Sequence, residues 1–389
     1  MRKYFFLLFS ILYLNLSANI TEIKIGVLYG LSLTEINVSG QPENAKIFFD
    51  SIPFFNRDTL YQIKIAIAKD SLHVYAGDSL IAQCKTVKII GNAFSKTHLN
   101  HLNFKQEKIY ADDIYFQNNN GFLFVINNIE IENYLPGVLE AEVGLSRPPE
   151  YYKVQAIICR TYTLSHLRRH EMEDFNLCDK EHCQVYKGWS KKENEITKAV
   201  EKTEGVVIVD SEFMLITAAF HANCGGQTVN SEDVWNKKLD YLRSIKDTFC
   251  LNQKSALWSK EFSEENWIQK MFKLCKSYNI KNDSLFLNGK IFFVQKSRKS
   301  FYDLNESCQI PLKDMRNLLE LRSTYFNAEY RNGQVILHGR GFGHGVGLCQ
   351  DGAIRMSKLG YSYKSILHFY YQNVSIVHLD KLDFFRFNE

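Results

Sequence analysis

The stretch from Asn133 to Thr163, NYLPGVLEAEVGLSRPPEYYKVQAIICRTYT, constrains this chain most. In its second half Val154, Ile157, Ile158, Thr161 and Leu164 recur at helical spacing, so a helix here must bury one face. Pro148 and Pro149 suit a first helical turn, where a missing N–H costs little, and Ser146 stands where an N-cap would. Ahead of the helix, a turn leads into a short apolar segment that ends at Glu142. The spacing therefore predicts a strand or turn handing over to a rigid helix at a carboxylate. A glutamate in such a loop is ordinarily a solvated surface group, and residue type alone favours that reading.

Upstream, Ile23–Val27 and Ile63–Ile67 alternate apolar with other residues, and His73–Tyr75 and Thr86–Ile90 read as further short strands. Residues 19–108 are thus expected to form a β-rich module for packing or docking. Within it Phe94–Phe104 is polar and reads as an unstructured connector, with His98 and His101 unsupported by other metal-binding residues. From Ile109 two strands flank Asn118-Asn119-Asn120-Gly121, a strong hairpin signal. Beyond the central helix, helices are expected at Glu193–Thr203, Glu264–Tyr278, Ile310–Leu319, Ala353–Leu359 and Tyr363–Tyr370, with Gly360 stopping one and Ser362 capping the last. Strands are expected at Gly205–Val209, Ile291–Val294 and Val335–Leu337. The fold class that follows is α+β, a β-rich N-terminal module and then a mixed α/β domain over residues 109–380, with a tail at 381–389.

Residues 1–18 read as a secretory leader. Arg2 and Lys3 precede the apolar run Tyr4–Leu14 and the small-residue exit Leu16-Ser17-Ala18. That run is short for a membrane span, and no later segment is long and apolar enough for one, so no stable span is expected once the leader is removed. The location expected is the periplasm or cell envelope. A formal net charge of +4 on 389 residues leaves no electrostatic footprint for nucleic acid. The nine cysteines can form disulfides in an exported protein, but an odd count leaves at least one unpaired. Cys224 with Cys250 is the pairing expected first.

Three stretches carry chemistry. Gly339-Arg340-Gly341-Phe342-Gly343-His344-Gly345-Val346-Gly347 lets the backbone adopt positive φ or approach a ligand closely. Its spacing fits neither a dinucleotide fingerprint nor a phosphate loop, and a tight turn before a helix explains it as readily as a site. Cys178 and Cys183, flanked by His170 and His182, offer thiolates and imidazole of the kind zinc takes, while a local disulfide fits the exported compartment equally well. His221-Ala222-Asn223-Cys224-Gly225-Gly226 crowds polar groups around a glycine turn.

Taken in order, ENYLPGVLEAEVG, KVQAIICRTYTL, LCDKEHCQVYKGW, HANCGGQTVNSEDVW, YLRSIKD, LRSTYF and GRGFGHGVGLCQDGAIRMSKLGYSYKSILHFYY resemble the SpoIID/LytB family of cell-wall proteins over about residues 110–379. The resemblance implies export and peptidoglycan glycan strands as partner. It also implies lytic transglycosylase activity on strands free of stem peptides, with the catalytic carboxylate falling on Glu142. Val143 and Gly144 stand where the family has methionine and proline. It further implies a zinc ion, here at His170, Cys178 and Cys183. Gln155 and Arg160 on the central helix, with Gly343, His344, Gly345 and Gln350, are the expected glycan-binding residues. One carboxyl group suffices for such a reaction if its surroundings keep it protonated, and Val138, Leu139 and Val143 are the apolar residues expected to do so. A two-carboxylate hydrolase would need a second acid, for which Glu140, Glu232 and Asp351 are candidates. The LytB branch implies the alternative of a non-catalytic wall binder that enhances a separate amidase. A weaker alternative is a metal-dependent hydrolase built on His170, Cys178 and Cys183.

Overall fold

Alternating burial along the first third of the chain produces two sheets with a shared interior. The computed structural model describes residues 22–40, 45–54, 61–92, 95–189, 195–253, 256–277, 292–305 and 308–382. The expected leader at 1–18 lies outside the described residues, as do residues 383–389 of the expected tail. Strands β1 (Glu22–Val27), β2 (Glu35–Gly40), β3 (Lys46–Phe49), β4 (Ile52–Phe54), β5 (Tyr61–Ala68), β6 (Ser71–Ala76), β7 (Ser79–Cys84), β8 (Thr86–Ile90), β9 (Lys96–Asn100), β10 (Lys108–Ala111), β11 (Asp113–Asn119) and β12 (Phe122–Glu130) make them up. One sheet runs β1-β12-β11-β8-β3-β4 and the other β10-β9-β2-β5-β6-β7, each with antiparallel neighbours. Ile36, Val38, Ile63, Ile65, Leu72, Val74, Val87, Ile89, Ile114 and Phe116 point inward from both sheets into one core, as period-2 patterning requires.

The connector expected at Phe94–Phe104 instead holds strand β9 at its centre, because Thr97 and Leu99 alternate inward and both flanks find partners in β2 and β10. His98 on its outer side pairs with Glu107 at 2.8 Å. The strand expected over Tyr110–Phe116 breaks at Asp112, whose φ of 59° turns the chain from one sheet into the other. The Asn127 amide spans that break, donating to the carbonyls of Ala111 and Asp113. The Asn-Gly hairpin forms as expected, with Asn120 and Gly121 both at positive φ. Because β1 pairs with β12 along its whole length, the first sheet runs across the division drawn at residue 108.

From β12 the chain enters helix α1 (Ile131–Val143) directly. The turn or strand expected there is a helix because Ile131, Tyr134, Leu135, Val138 and Leu139 bury one face, and this packing outweighs the backbone bond that Pro136 removes. Helix α2 (Pro149–Ser165) follows, with Pro148 at its N-cap. Ser146, expected there, lies in the link at φ 63°. The carbonyls left over at the end of α1 are satisfied across this link: Tyr152 Oη donates to Gly144 and Arg147 Nε to Val143.

Helix α2 is the spine of the remaining domain. It packs on α1, on α3 (Glu195–Glu201), on β14 (Val206–Val209), and on α7 (Gln350–Lys358) and α8 (Tyr363–Tyr370). Ser362 caps α8 through the Ser365 N–H, as expected. Two short pairings complete the centre: β13 (Leu177–Cys178) adds to β1 in parallel, and β15 (Phe220–His221) pairs with β22 (Leu348–Cys349). Helix α4 (Glu232–Trp235) follows β15.

Residues 257–340 carry a second, smaller core. Strands β16 (Leu257–Ser263), β17 (Phe292–Phe293), β20 (Tyr325–Arg331) and β21 (Gln334–Arg340) form its sheet, backed by α5 (Glu264–Ser277) and α6 (Leu312–Leu318). Ile310, expected to start a helix, belongs to the hairpin of β18 (Phe301–Asn305) and β19 (Cys308–Pro311), since Pro311 holds extended backbone ahead of α6. Strand β23 (Ser375–His378) returns to pair with β14.

Candidate functional site

Glu142 lies in the last turn of α1, at the negative end of the helix. Its side chain is half-buried, and Oε1 accepts one hydrogen bond, from the Val185 N–H at 3.1 Å. Burial raises the pKa of this carboxyl above the ordinary glutamate value. The Val185 N–H opposes that shift, the charge of Glu181 reinforces it and that of Lys187 opposes it. Val138 and Leu139, one turn earlier, are fully buried beneath it. The segment bearing Val185 sits close because Gly137 allows it. A Cβ at Gly137 would stand 2.2 Å from the Gly188 carbonyl and 2.7 Å from the Tyr186 ring.

The same segment begins in a cluster of metal-binding side chains. One donor atom each from His170, Cys178, His182 and Cys183 lies within 4.8 Å of the others. His182 Nδ1 stands 3.6 Å from Cys183 Sγ and 3.9 Å from Cys178 Sγ. A tetrahedral zinc with ~2.3 Å bonds to sulfur and ~2.0 Å to nitrogen spaces its donors roughly 3.3–3.8 Å apart, so a small contraction suits it. His170 supplies the sharper test. Its Nδ1 is held by Glu173 Oε1 at 2.8 Å, and its buried Nε2 has no partner. A carboxylate on the outer nitrogen is the usual support of a metal-bound imidazole. Phe175 stacks on the His170 ring at 4.5 Å, while Cys178 and Cys183 are free thiols. The residues present fit a Cys2His2 zinc site. Sequence reasoning took one imidazole and missed His182 as the fourth donor and Glu173 behind His170. The signal for the former was its adjacency to Cys183.

The expected glycan-binding residues divide. Arg160 is fully buried, and its guanidinium forks onto Glu132 at 2.7 and 2.6 Å while also donating to the Val206 carbonyl. No part of it is left for a ligand, so the expectation is corrected: Arg160 ties α2 to α1. Gln155 is also fully buried. Its Nε2 donates to Tyr151 Oη and its Oε1 lacks a partner.

In the glycine stretch, protein neighbours account for the missing side chains. Gly343, at φ 110°, leaves 2.9 Å between its would-be Cβ and His221 Cβ, and the Gly345 Cβ would meet the Arg298 guanidinium. His344 Nε2 donates to the Phe220 carbonyl at 2.9 Å and its Nδ1 accepts the Val346 N–H at 3.1 Å. Burial pushes its pKa down to about 4, so it is a neutral, doubly bonded brace between β15 and the loop. Beside it the exposed Trp235 ring lies 5.4 Å away, and Phe342, two positions before His344, is exposed. Gln350 opens α7 with a buried Nε2 that has no partner. Among the described residues no hydrogen bond or ion pair links Glu142 to Gly343, His344, Gly345 or Gln350; α2 packs against the helices at both places.

Of the candidate second acids, Glu232 is forked on Arg243, which draws its pKa down to about 2. Asp351 accepts from Asn223 Nδ2 at 2.9 Å. The disulfide expected between Cys224 and Cys250 is also corrected. Both are free thiols, 3.4 Å apart, with Asp247 and Cys349 beside them.

A family model described as "SpoIID: Stage II sporulation protein" matches residues 119–209, which hold Glu142 and the cysteine–histidine cluster. An uncharacterized protein of Brachyspira hyodysenteriae is 30% identical over 288 residues, 70% of this chain and 74% of its own length. Stage II sporulation protein D of Bacillus subtilis is 27% identical over 270 residues, 66% of this chain and 76% of that protein. The amidase enhancer of the same organism is 28% identical over 289 residues, 62% of this chain and 40% of that protein.

Proposed function

The chain belongs to the SpoIID/LytB family, and on that footing we propose that it is an exported peptidoglycan lytic transglycosylase that cleaves β-1,4 bonds of glycan strands free of stem peptides. The observation that carries the reading is Glu142, a half-buried carboxyl group with a raised pKa and a single fixed donor at a helix C-terminus. Such a group holds a proton closer to neutral pH than a solvated glutamate does. It donates that proton to the glycosidic oxygen as the bond to C1 breaks. The sugar's own 6-hydroxyl then closes on C1, and its proton returns to Glu142. No second carboxylate or water is required.

His170, Cys178, His182 and Cys183 would hold zinc, whose contribution there is to fasten the chain. The fastened segment is the one that presents the Val185 N–H to Glu142. This favours a structural ion over the metal-dependent hydrolase alternative.

The test is product analysis. Purified protein incubated with stem-free glycan should yield anhydro-muramic ends by mass spectrometry, and Glu142→Gln should abolish them. Ordinary reducing ends, or equal turnover by the variant, would overturn the proposal. The similarity to an amidase enhancer favours one second reading, a wall-binding protein that stimulates a separate amidase. It predicts retention on sacculi without fragment release, and stimulation of an added amidase that survives Glu142→Gln.

A further inference from the structure

Far from the His170 cluster in sequence, a second group of metal-binding side chains is more deeply enclosed. Cys224 follows β15, Asp247 and Cys250 lie in the segment before β16, and Cys349 ends β22. All four are fully buried, and one donor atom from each lies within 4.8 Å of the others. Cys224 Sγ stands 3.4 Å from Cys250 Sγ and 3.3 Å from Asp247 Oδ2. We propose that Cys224, Asp247, Cys250 and Cys349 form a second zinc site, structural in role and separate from the one at His170.

Three observations carry this. First, Asp247 is a buried carboxylate that forms no ion pair among the described residues. Among the described residues its oxygens take only the Tyr370 hydroxyl, the Phe249 N–H and the Cys224 thiol. A charge buried this way is costly unless a cation meets it, and thiols are weak donors. A dication among the four side chains supplies that cation.

Second, the surroundings suit thiolates. The Cys224 N–H points at Cys349 Sγ at 3.3 Å, and the backbone N–H groups of Gly226 and Cys224 face Cys250. The Arg298 guanidinium acts on Cys224 and Cys349 from outside the cluster, and its buried Nε and Nη2 lack partners. Three thiolates and a carboxylate around a dication leave a net negative charge, which these donors offset. Soft sulfur donors at tetrahedral spacing select zinc over magnesium or calcium.

Third, the four residues come from three separate segments that backbone hydrogen bonds already bring together, the Asp247 N–H to the Gly226 carbonyl and the Asp351 N–H to the Ala222 carbonyl among them. The β15–β22 pairing is only two residues long on each side. An ion here joins the His221 segment, the glycine stretch through Cys349, and the loop at Asp247, while Tyr370 of α8 backs the carboxylate.

The test is a metal count on the full-length protein purified without chelator. The unaltered chain is expected to carry two zinc ions. Cys178→Ser with Cys183→Ser should leave one, Cys250→Ser with Cys349→Ser should leave one, and all four changes should leave none. In the Cys178/Cys183 variant, cobalt substitution should give a thiolate-to-metal charge-transfer band, weakened by Asp247→Asn. Should the Cys250/Cys349 variant fail to fold, the Cys178/Cys183 variant decides alone, since loss of all its metal overturns the proposal. Alkylation of the denatured, unreduced protein gives an independent reading. Free thiols at Cys224, Cys250 and Cys349 are expected, and a disulfide between any two of them overturns the site.

Discussion

Replacing Glu142 with Gln separates catalysis from folding, because the amide keeps the shape and one acceptor but cannot hold a transferable proton. Gln Oε1 can still accept the Val185 N–H now bound at 3.1 Å. General acid–base catalysis typically contributes 10²–10⁴-fold, or about 2.7–5.4 kcal/mol of barrier, and that loss is expected in full. Stability should move little. The variant exchanges a charge-assisted hydrogen bond for a neutral one, costing ~1 kcal/mol, but it also removes a carboxylate that is penalised for burial. The sign follows from linkage. The folded-state pKa of Glu142 lies above its ordinary value, so between those values the native state binds more protons than the unfolded one. Wild-type stability therefore falls as pH rises through that window, and the penalty persists above it. The Gln variant lacks this term. Its thermal midpoint relative to wild type should be highest above the window and should decline as pH drops through it. Turnover of stem-free glycan and thermal denaturation across pH measure both effects. A variant that keeps more than about a tenth of wild-type turnover, or whose stability difference is independent of pH, would refute the reasoning.

Arg160→Met should destabilise by about 1–3 kcal/mol because it leaves the Val206 carbonyl and the partly buried Glu132 without their donor, and Glu132→Leu in the same chain should recover part of the loss; a folded Arg160→Met with only weakened glycan binding would reverse this assignment. Glu173→Gln should weaken zinc retention at His170 by roughly 10–100-fold in a competition with a chromophoric chelator, since it removes the carboxylate behind the imidazole. Gly26→Ala places a Cβ 2.8 Å from the Phe175 ring, which stacks on His170, so denaturant melts should show a loss of ~1–3 kcal/mol together with easier zinc release.

Local chemistry was legible wherever a few adjacent residues decide the structure. The Asn-Gly hairpin, the buried face of α2 and the Ser362 cap are all of this kind. Helix α1 was not, because Pro136 and Gly137 argue against a helix locally, and only the burial of Tyr134, Leu135, Val138 and Leu139 overrides them. Strand β9 was hidden by its polar outer residues and by a partner, β2, far earlier in the chain, although β10 on its other side follows closely. Arg160 misled for a similar reason. An arginine on a helix near a candidate acid looks available for substrate until Glu132, 28 positions earlier, claims it. The Cys224, Asp247, Cys250 and Cys349 group spans 125 positions between its first and last members, a separation at which spacing carries no signal.

The N-terminal strands have a closer bearing on the site than a separate docking module would. Strand β1 is the parallel neighbour of β13, with Gly26 opposite Cys178. The Leu28 N–H is held by Asp179 Oδ2 at 2.8 Å, and the Asp179 N–H returns to the Gly26 carbonyl. Tyr29 donates to Glu173, the carboxylate behind His170, and packs edge-on to the His170 ring at 5.4 Å. These contacts hold the His170–Asp179 part of the segment from β1, which would lower the ordering cost of the zinc binding proposed above. The same segment continues to Val185, whose N–H holds Glu142. The path from β1 to the candidate acid is thus a short run of backbone pairings. A chain begun at residue 109 would keep Glu142 and all four cluster residues yet lack the strand that aligns them.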